Sequence, residues 1–344
     1  MTANDTVVVA ERFHDFVCPS CGGPLEFDGD GPAIGSACGW TGTVVGGIVR
    51  FVADSTHENF GIQWNEFADV QIDDLNGTAD SRERLLNQSG LRSDDWRGKR
   101  VLEVGCGAGR FTRLMLQWGA RVVAVDYSRA IEACVRNNAD AVTRGRLVPA
   151  QADIFALPLR AASFDIVVCY GVLHHTGDAR RALHSLWRHV APDGLLLVDR
   201  YQLSLRRVMP FKYLLRPVLK RLPPAWVKQL AETTVRVLSP GQRSVLRAAR
   251  RLGTAGKFIR YVLHRSPNSV YPFELEIDKG LPRQVATRWS VLDTFDQWAP
   301  AYDSPCTLGA WRRQLASLPG GRVVRAFSCG QGNAGVVKSV DKSK

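Results

Sequence analysis

The stretch VLEVGCGAGR, residues 101–110, constrains this chain more than any other. An apolar run carrying one acid, Glu103, passes directly into three glycines at alternate positions, Gly105, Gly107 and Gly109. A strand that empties into such a turn brings backbone N–H groups to the carboxyl edge of a parallel sheet, where nucleotide-bearing ligands bind. The surroundings have the matching alternation. Apolar strands are expected at 100–104, 121–125, 146–150, 164–169 and 194–199, with helices between them at positions such as 110–118 and 179–190. Strand and helix alternating at this interval predict an α/β fold with a parallel sheet covered on both faces.

The glycine spacing is G-x-G-x-G, not the G-x-G-x-x-G of dinucleotide sites. Two further acids follow at strand ends, Asp126 in VVAVDYS and Asp153 in AQADIFALP. A carboxylate at the tip of the second strand can accept both hydroxyls of a ribose. One after the third strand can accept an adenine amino group, and Glu103 in the turn can reach a cationic amino group. A dinucleotide has a pyrophosphate to place on the helix N-terminus. A methionine sulfonium has none, and it suits an acid in the turn better.

With these motifs in order, residues 99–200 resemble the class I S-adenosylmethionine-dependent methyltransferases. VLEVGCGAGRFT is similar to their first motif and VVAVDYS to their second. QADIFALPLRAASFDIVVCYGVLHHTGD is similar to the third and fourth, and LWRHVAPDGLLLVD to the region of strand five. The resemblance implies a Rossmann-like seven-stranded sheet whose last strand is antiparallel. It implies that Glu103, Gly105, Cys106, Gly107, Gly109, Asp126, Tyr127, Asp153, Ile154 and Tyr170 line the S-adenosyl-L-methionine site. Methyl transfer needs a positioned acceptor and, for a hydroxyl, a base. The candidates follow strand four: Tyr170, His174 and His175 in CYGVLHHTGD. Trp64 in QWNEF is a candidate lid residue, and Trp298 and Tyr302 in DTFDQWAPAYDSP are candidates for closing an acceptor pocket.

Three of the eight cysteines cluster near the front, Cys18, Cys21 and Cys38. The two-residue spacing of CPSC and its following glycines suit one metal ion, most simply zinc. The module resembles the small zinc-ribbon-like domain that activates tRNA methyltransferases, but Gly35 stands where a fourth cysteine is expected. His14, Asp28 or water are the alternatives for the fourth ligand.

The net charge of +12 is concentrated: residues 201–265 hold fifteen Lys and Arg against one acid, Glu232. This block reads as helices broken at Pro210, Pro217, Pro223-Pro224 and Pro240. Its last helix carries an apolar stripe of Val245, Ala249, Leu252, Gly256, Ile259 and Leu263. A helical cap over an acceptor pocket, a peripheral membrane contact and an RNA-binding face all fit such a block.

The expected organisation is therefore a small β-rich module over 10–53, a helical linker or lid over 54–98, and a cofactor-binding core over 99–200. A basic helical insert follows over 201–265, and strands completing the sheet and pocket over 266–338. No apolar run approaches the roughly 20 residues that span a bilayer, and the N-terminus lacks a basic, then apolar, leader, so a cytoplasmic enzyme is expected. Its acceptor is expected to be a small or lipid-linked molecule. RNA methylation and a non-catalytic cofactor-binding partner are the alternatives.

Overall fold

A computed structural model describes residues 14–27, 33–35, 38–52, 58–203, 211–330 and 332–340. Pro210 and Asp28, named above, lie outside them, as do the ends of the 10–53 segment and the start of 54–98. Strands β5 (Arg100–Val104), β6 (Arg121–Asp126), β7 (Leu147–Gln151), β8 (Phe164–Cys169) and β9 (Val190–Tyr201) stand where the alternation of the sequence places them. They pair in parallel in the order β9-β8-β5-β6-β7. Beyond β9 lies β11 (Gly332–Ser339), antiparallel to it, and then β10 (Gly321–Cys329). This is the Rossmann-like arrangement with an inverted last strand.

Adjacent residues of the central strands feed opposite faces, as the pleat requires. Leu102, Val123, Val167 and Leu196 enter one apolar layer, with Leu183 and Leu186 of α7 (Ala179–Trp187) and Trp311 of α13 (Leu308–Ala316). Val101, Val122, Ile166 and Leu197 enter the other, with Phe111 and Met115 of α4 (Arg110–Gln117) and Ile131 of α5 (Ala130–Asn137).

Among the described residues the sheet has nine strands where seven are expected. The extra two come from the front of the chain. There β1 (Leu25–Phe27) pairs with β2 (Ala33–Gly35), while β3 (Thr43–Val45) and β4 (Ile48–Arg50) form a hairpin. In that hairpin β4 adds to the free edge of β7, Val49 opposite Ala150 and Arg50 opposite Gln151. Val49 and Phe16 are buried in the main core, and Arg50 pairs with Glu132 at 3.0 Å. The front segment is thus joined to the main sheet through β3 and β4, which cover an otherwise exposed edge, while β1 and β2 form a small sheet of their own.

Among the described residues, three short α-helices precede the first core strand: α1 (Glu58–Glu66), α2 (Asp73–Asn76) and α3 (Asp80–Ser89). After β9 come α8 (Phe211–Leu219), α9 (Pro224–Ala249), α10 (Gly253–Leu263), α11 (Tyr271–Lys279) and α12 (Arg283–Trp298). Here the structure corrects three expectations. Pro217 and Pro240 lie inside α8 and α9 and do not end them. In α9 the inward stripe of Val227, Ala231, Val235 and Leu246 is buried against Phe295, Trp298, Phe273 and Trp289. That burial outweighs one missing N–H.

The expected stripe from Val245 to Leu263 spans two helices, α9 and α10, and Val245 and Leu252 are exposed. Finally, the region from 266 to 338 is helical as far as Ala316, with strands only from Gly321. The segment TRWSVLDTFDQW has the β-branched and aromatic content of a strand, but Trp289, Leu292 and Phe295 are buried at helical spacing.

Candidate active site

Strand β5 ends in a turn that only glycine accommodates. Gly105 has φ +79° and its missing Cβ would lie 2.1 Å from Val172 Cγ2, so the loop after β8 rests directly on it. Gly107 faces Trp64 of α1, whose ring would stand 3.2 Å from a Cβ there. Trp64 is therefore folded over the glycine turn.

Asp126, at the tip of β6, completes this corner. Its Oδ2 accepts the Gly107 N–H at 2.9 Å, and its Oδ1 accepts the Ser128 N–H and hydroxyl at 2.9 and 2.8 Å. Burial pushes its carboxyl above the ordinary carboxylate range, against the pull of these donors. Asp153 accepts the Phe155 N–H at 2.9 Å and so is oriented by its own turn.

These residues open on a cavity of about 710 Å³ at the carboxyl edge of the sheet. Gly105, Cys106, Gly107, Asp126, Tyr127, Asp153, Ile154 and Tyr170 all line it. The Tyr170 hydroxyl is buried in the wall without a hydrogen-bond partner among the described residues. Two expected lining residues do not reach the cavity. Glu103 is buried behind the turn, where the Thr112 hydroxyl donates to it, and burial pushes its carboxyl up to about 8. Gly109 instead starts α4 in the left-handed conformation, pressed against Cys134 and Asn138.

The second half of the cavity is walled by α1, α11 and α12 and the loop after β8. His175 lines it, and its Nδ1 lies 3.1 Å from the Tyr302 carbonyl oxygen. A carbonyl only accepts, so Nδ1 carries a hydrogen and points Nε2 to the other side of the ring. That nitrogen lies 3.9 Å from Asp296 Oδ2. Gln63 Nε2 donates to the other Asp296 oxygen at 3.2 Å, and Tyr201 stands nearby. His174 is different: it is wholly buried, its ring stacked on Tyr201 at 3.4 Å, and it does not line the cavity. Of the aromatic candidates, Trp64 and Tyr302 line the chamber, whereas Trp298 is buried among Leu219, Val227 and Phe295.

Sequence reasoning missed several lining residues. Arg84 of α3 pairs with Asp199 at 2.7 Å, and Asp199 also accepts the Gly171 N–H at 2.7 Å. Asp199 ends the core of β9 as Asp126 ends β6, so its position at a strand tip was a readable signal. Tyr271 donates to Asp80 at 2.8 Å. Asp293, pushed up to about 7 by burial and by neighbouring Asp296, had no comparable signal because its helix was read as strand.

At the far edge of the molecule, the sulfurs of Cys18, Cys21 and Cys38 all lie within 4.8 Å of one another, with Cys18 and Cys38 at 3.4 Å. Gly35 is paired with Leu25 in the β1–β2 ladder. The His14 ring is turned to Asp15 and Arg100 and is not part of this cluster.

Residues 102–198 match a family model described as a methyltransferase domain. The mitochondrial ubiquinone biosynthesis O-methyltransferase of Schizosaccharomyces pombe is 38% identical over 104 residues, 30% of this chain and 38% of that protein. The ubiquinone biosynthesis O-methyltransferase of Coxiella burnetii is 33% identical over 100 residues, 29% of this chain and 42% of that protein. The chain thus spans about two fifths of the length of the curated relatives it matches. Among solved structures, an O-methyltransferase family 2 protein from Planctomyces limnophilus aligns over 71% of this chain and 52% of that chain, with 13% identity and a TM-score of 0.38. At that level the fold assignment rests on the sheet order itself.

Proposed function

We propose that this protein is an S-adenosylmethionine-dependent methyltransferase acting on a hydroxyl group of a small or lipid-linked molecule. The observation that carries the reading is the corner formed by the glycine turn and the Asp126 carboxylate, opening on a chamber that continues past it to His175.

The residues suit the cofactor. Asp126 would accept the ribose hydroxyls and Asp153 the adenine amino group, both being oriented acceptors on the cavity wall. Tyr170, whose hydroxyl has no hydrogen-bond partner among the described residues, would gain one from the ligand. The acids lining this cavity outnumber its two arginines, Arg84 and Arg110, which favours a cationic ligand. Bound there, S-adenosylmethionine supplies a methyl group on a positively charged sulfur.

The chain's own contribution is positioning and proton removal. His175 takes the acceptor's hydroxyl proton at Nε2, the nitrogen left free by the Tyr302 carbonyl. Asp296 stabilises the resulting imidazolium from 3.9 Å. Trp64, Phe60 and Tyr302 give the chamber an aromatic wall. In this division of labour residues 99–200 bind the cofactor, and the helices after β9 shape the acceptor's side.

We also propose that Cys18, Cys21 and Cys38 bind a zinc ion as thiolates, with a structural role in seating the β3–β4 hairpin on β7. Methyl transfer does not call for it, and the cluster lies outside the chamber lining.

The test of the main reading uses methyl-labelled S-adenosylmethionine, the full chain and a fractionated cell extract. Label is expected in the lipid or small-metabolite fraction and should be lost with His175→Gln. Label in the RNA fraction, or cofactor binding with no transfer to any fraction, would overturn it.

A further inference from the structure

The helices after β9 have an outer face that the chamber does not explain. Among the described residues, eighteen large apolar side chains are exposed, and eleven of them fall between Leu214 and Val262. The exposures are high: 75% for Leu214, 64% for Trp226, 69% for Val237 and 66% for Phe258. On α9, Trp226, Leu230 and Val237 are spaced as one helical stripe, turned about a third of the way round the helix from the buried Val227, Ala231 and Val235. On α10, Phe258 and Tyr261 stack at 6.5 Å on the surface, with Val262 beside them. Isolated exposed apolar residues are ordinary, but such a concentration marks an interaction surface.

Some cations of the same segment are matched by acids: the buried Arg216 by Asp303 and Arg243 by Glu276, and the more exposed Lys228, Arg247, Arg250 and Arg260 by Glu66, Glu276, Asp278 and Glu274. Lys220, Arg221, Arg236, Arg251 and Lys257 are exposed and have no ion-pair partner among the described residues. The fold thus neutralises the charges it buries and leaves a set of positive charges among exposed aromatic and aliphatic groups.

We infer that the outer face of α8, α9 and α10 docks on an anionic lipid bilayer surface. The exposed apolar groups enter the interfacial layer while the unpaired cations meet acidic headgroups. A nucleic-acid backbone would use the cations but leave the apolar stripe in water, so it fits only half of the pattern. No helix among the described residues is long and apolar enough to cross a membrane, so the contact is peripheral. Because α9 packs on α12, whose Asp293 and Asp296 line the chamber, the docked face lies one helix layer from the acceptor's side. Docking of this face is independent of which reaction the chamber performs.

The experiment is co-sedimentation of the full chain with vesicles of phosphatidylcholine, with and without phosphatidylglycerol. Binding is expected to be about tenfold or more tighter to the anionic vesicles, because each cation near a charged surface contributes several-fold. Arg236→Glu with Lys257→Glu should weaken that binding about tenfold or more. Trp226→Ser with Phe258→Ser should weaken it by a similar factor through lost insertion. All four positions are exposed, so both variants should keep the parent melting temperature, and either alone decides the matter if the other does not fold. Equal binding to the two vesicles, no binding, or insensitivity to the Trp226 and Phe258 changes would overturn the inference. So would binding to RNA instead of vesicles that only the charge reversals abolish.

Discussion

His175 and Asp296 face one another across the chamber, Nε2 to Oδ2 at 3.9 Å, although one lies in the loop after β8 and the other on α12. An acceptor hydroxyl would reach Nε2 from the chamber side, because 3.9 Å is too short to admit an oxygen between the two atoms. Replacing His175 by Gln should therefore lower kcat by roughly 10²- to 10⁴-fold, the usual contribution of a positioned base. Asp296→Asn should lower it less, about tenfold, with KM little changed, since the imidazole remains. Steady-state rates with labelled methyl donor check both; an unchanged kcat in His175→Gln would remove this residue from the chemistry.

The glycine turn predicts a graded set of stabilities. Gly105→Ala combines a left-handed backbone with a Cβ driven into Val172, and Gly109→Ala combines one with contacts of 2.7 and 2.8 Å to Asn138 and Cys134. Each should cost about 2 kcal/mol or more. Gly98→Ala has the same backbone sign but nothing within 4 Å, and should cost only about 1 kcal/mol. Urea denaturation of the three variants tests the order, and equal losses would mean the turn is not packed as described.

Glu103 gives the protein a pH dependence of a particular sign. Its folded carboxyl, raised by burial to about 8, holds a proton more tightly than the unfolded chain does at 4.5. Between those values the native state carries the extra proton, so stability declines as pH rises through the window and levels off above it. Asp293, raised to about 7, acts in the same direction. The urea midpoint of the ligand-free protein should be higher at pH 5 than at pH 8, and Glu103→Gln should flatten the difference. A midpoint that rises with pH in both proteins would contradict this.

For the front cluster, purified protein grown with zinc should carry close to one equivalent, and Cys38→Ser should carry far less. Less than about a tenth of an equivalent in the parent would rule out a tight site. The same substitution should lower the melting temperature by several degrees, because the cluster belongs to the segment that supplies β3 and β4.

How much of this was legible depended on whether a signal was local. The turn at Gly105, the acid at Asp126 and the five parallel strands are each encoded within a few residues, and all could be read. Glu103 was read as facing the ligand because it stands two residues before Gly105; only the packing of α4 shows that Thr112 claims it. His174 and His175 are indistinguishable in sequence, and the stacking on Tyr201 separates them. The acceptor wall was hardest. Asp293 and Asp296 reach the chamber through tertiary packing of a helix whose aromatic, β-branched composition imitates a strand. The sheet's extension by β4 was equally hidden, since no local pattern says which edge a three-residue strand will join.

The most direct test of the central claim is calorimetric titration of S-adenosylmethionine into the full chain and into Asp126→Ala. Asp126 is held in place by Gly107 and Ser128 at the mouth of the cavity. The account predicts saturable binding near one equivalent, weakened about ten- to a hundredfold by the substitution, the worth of hydrogen bonds to a charged acceptor. No binding to the parent chain, or equal affinity in the Asp126→Ala protein, would contradict it.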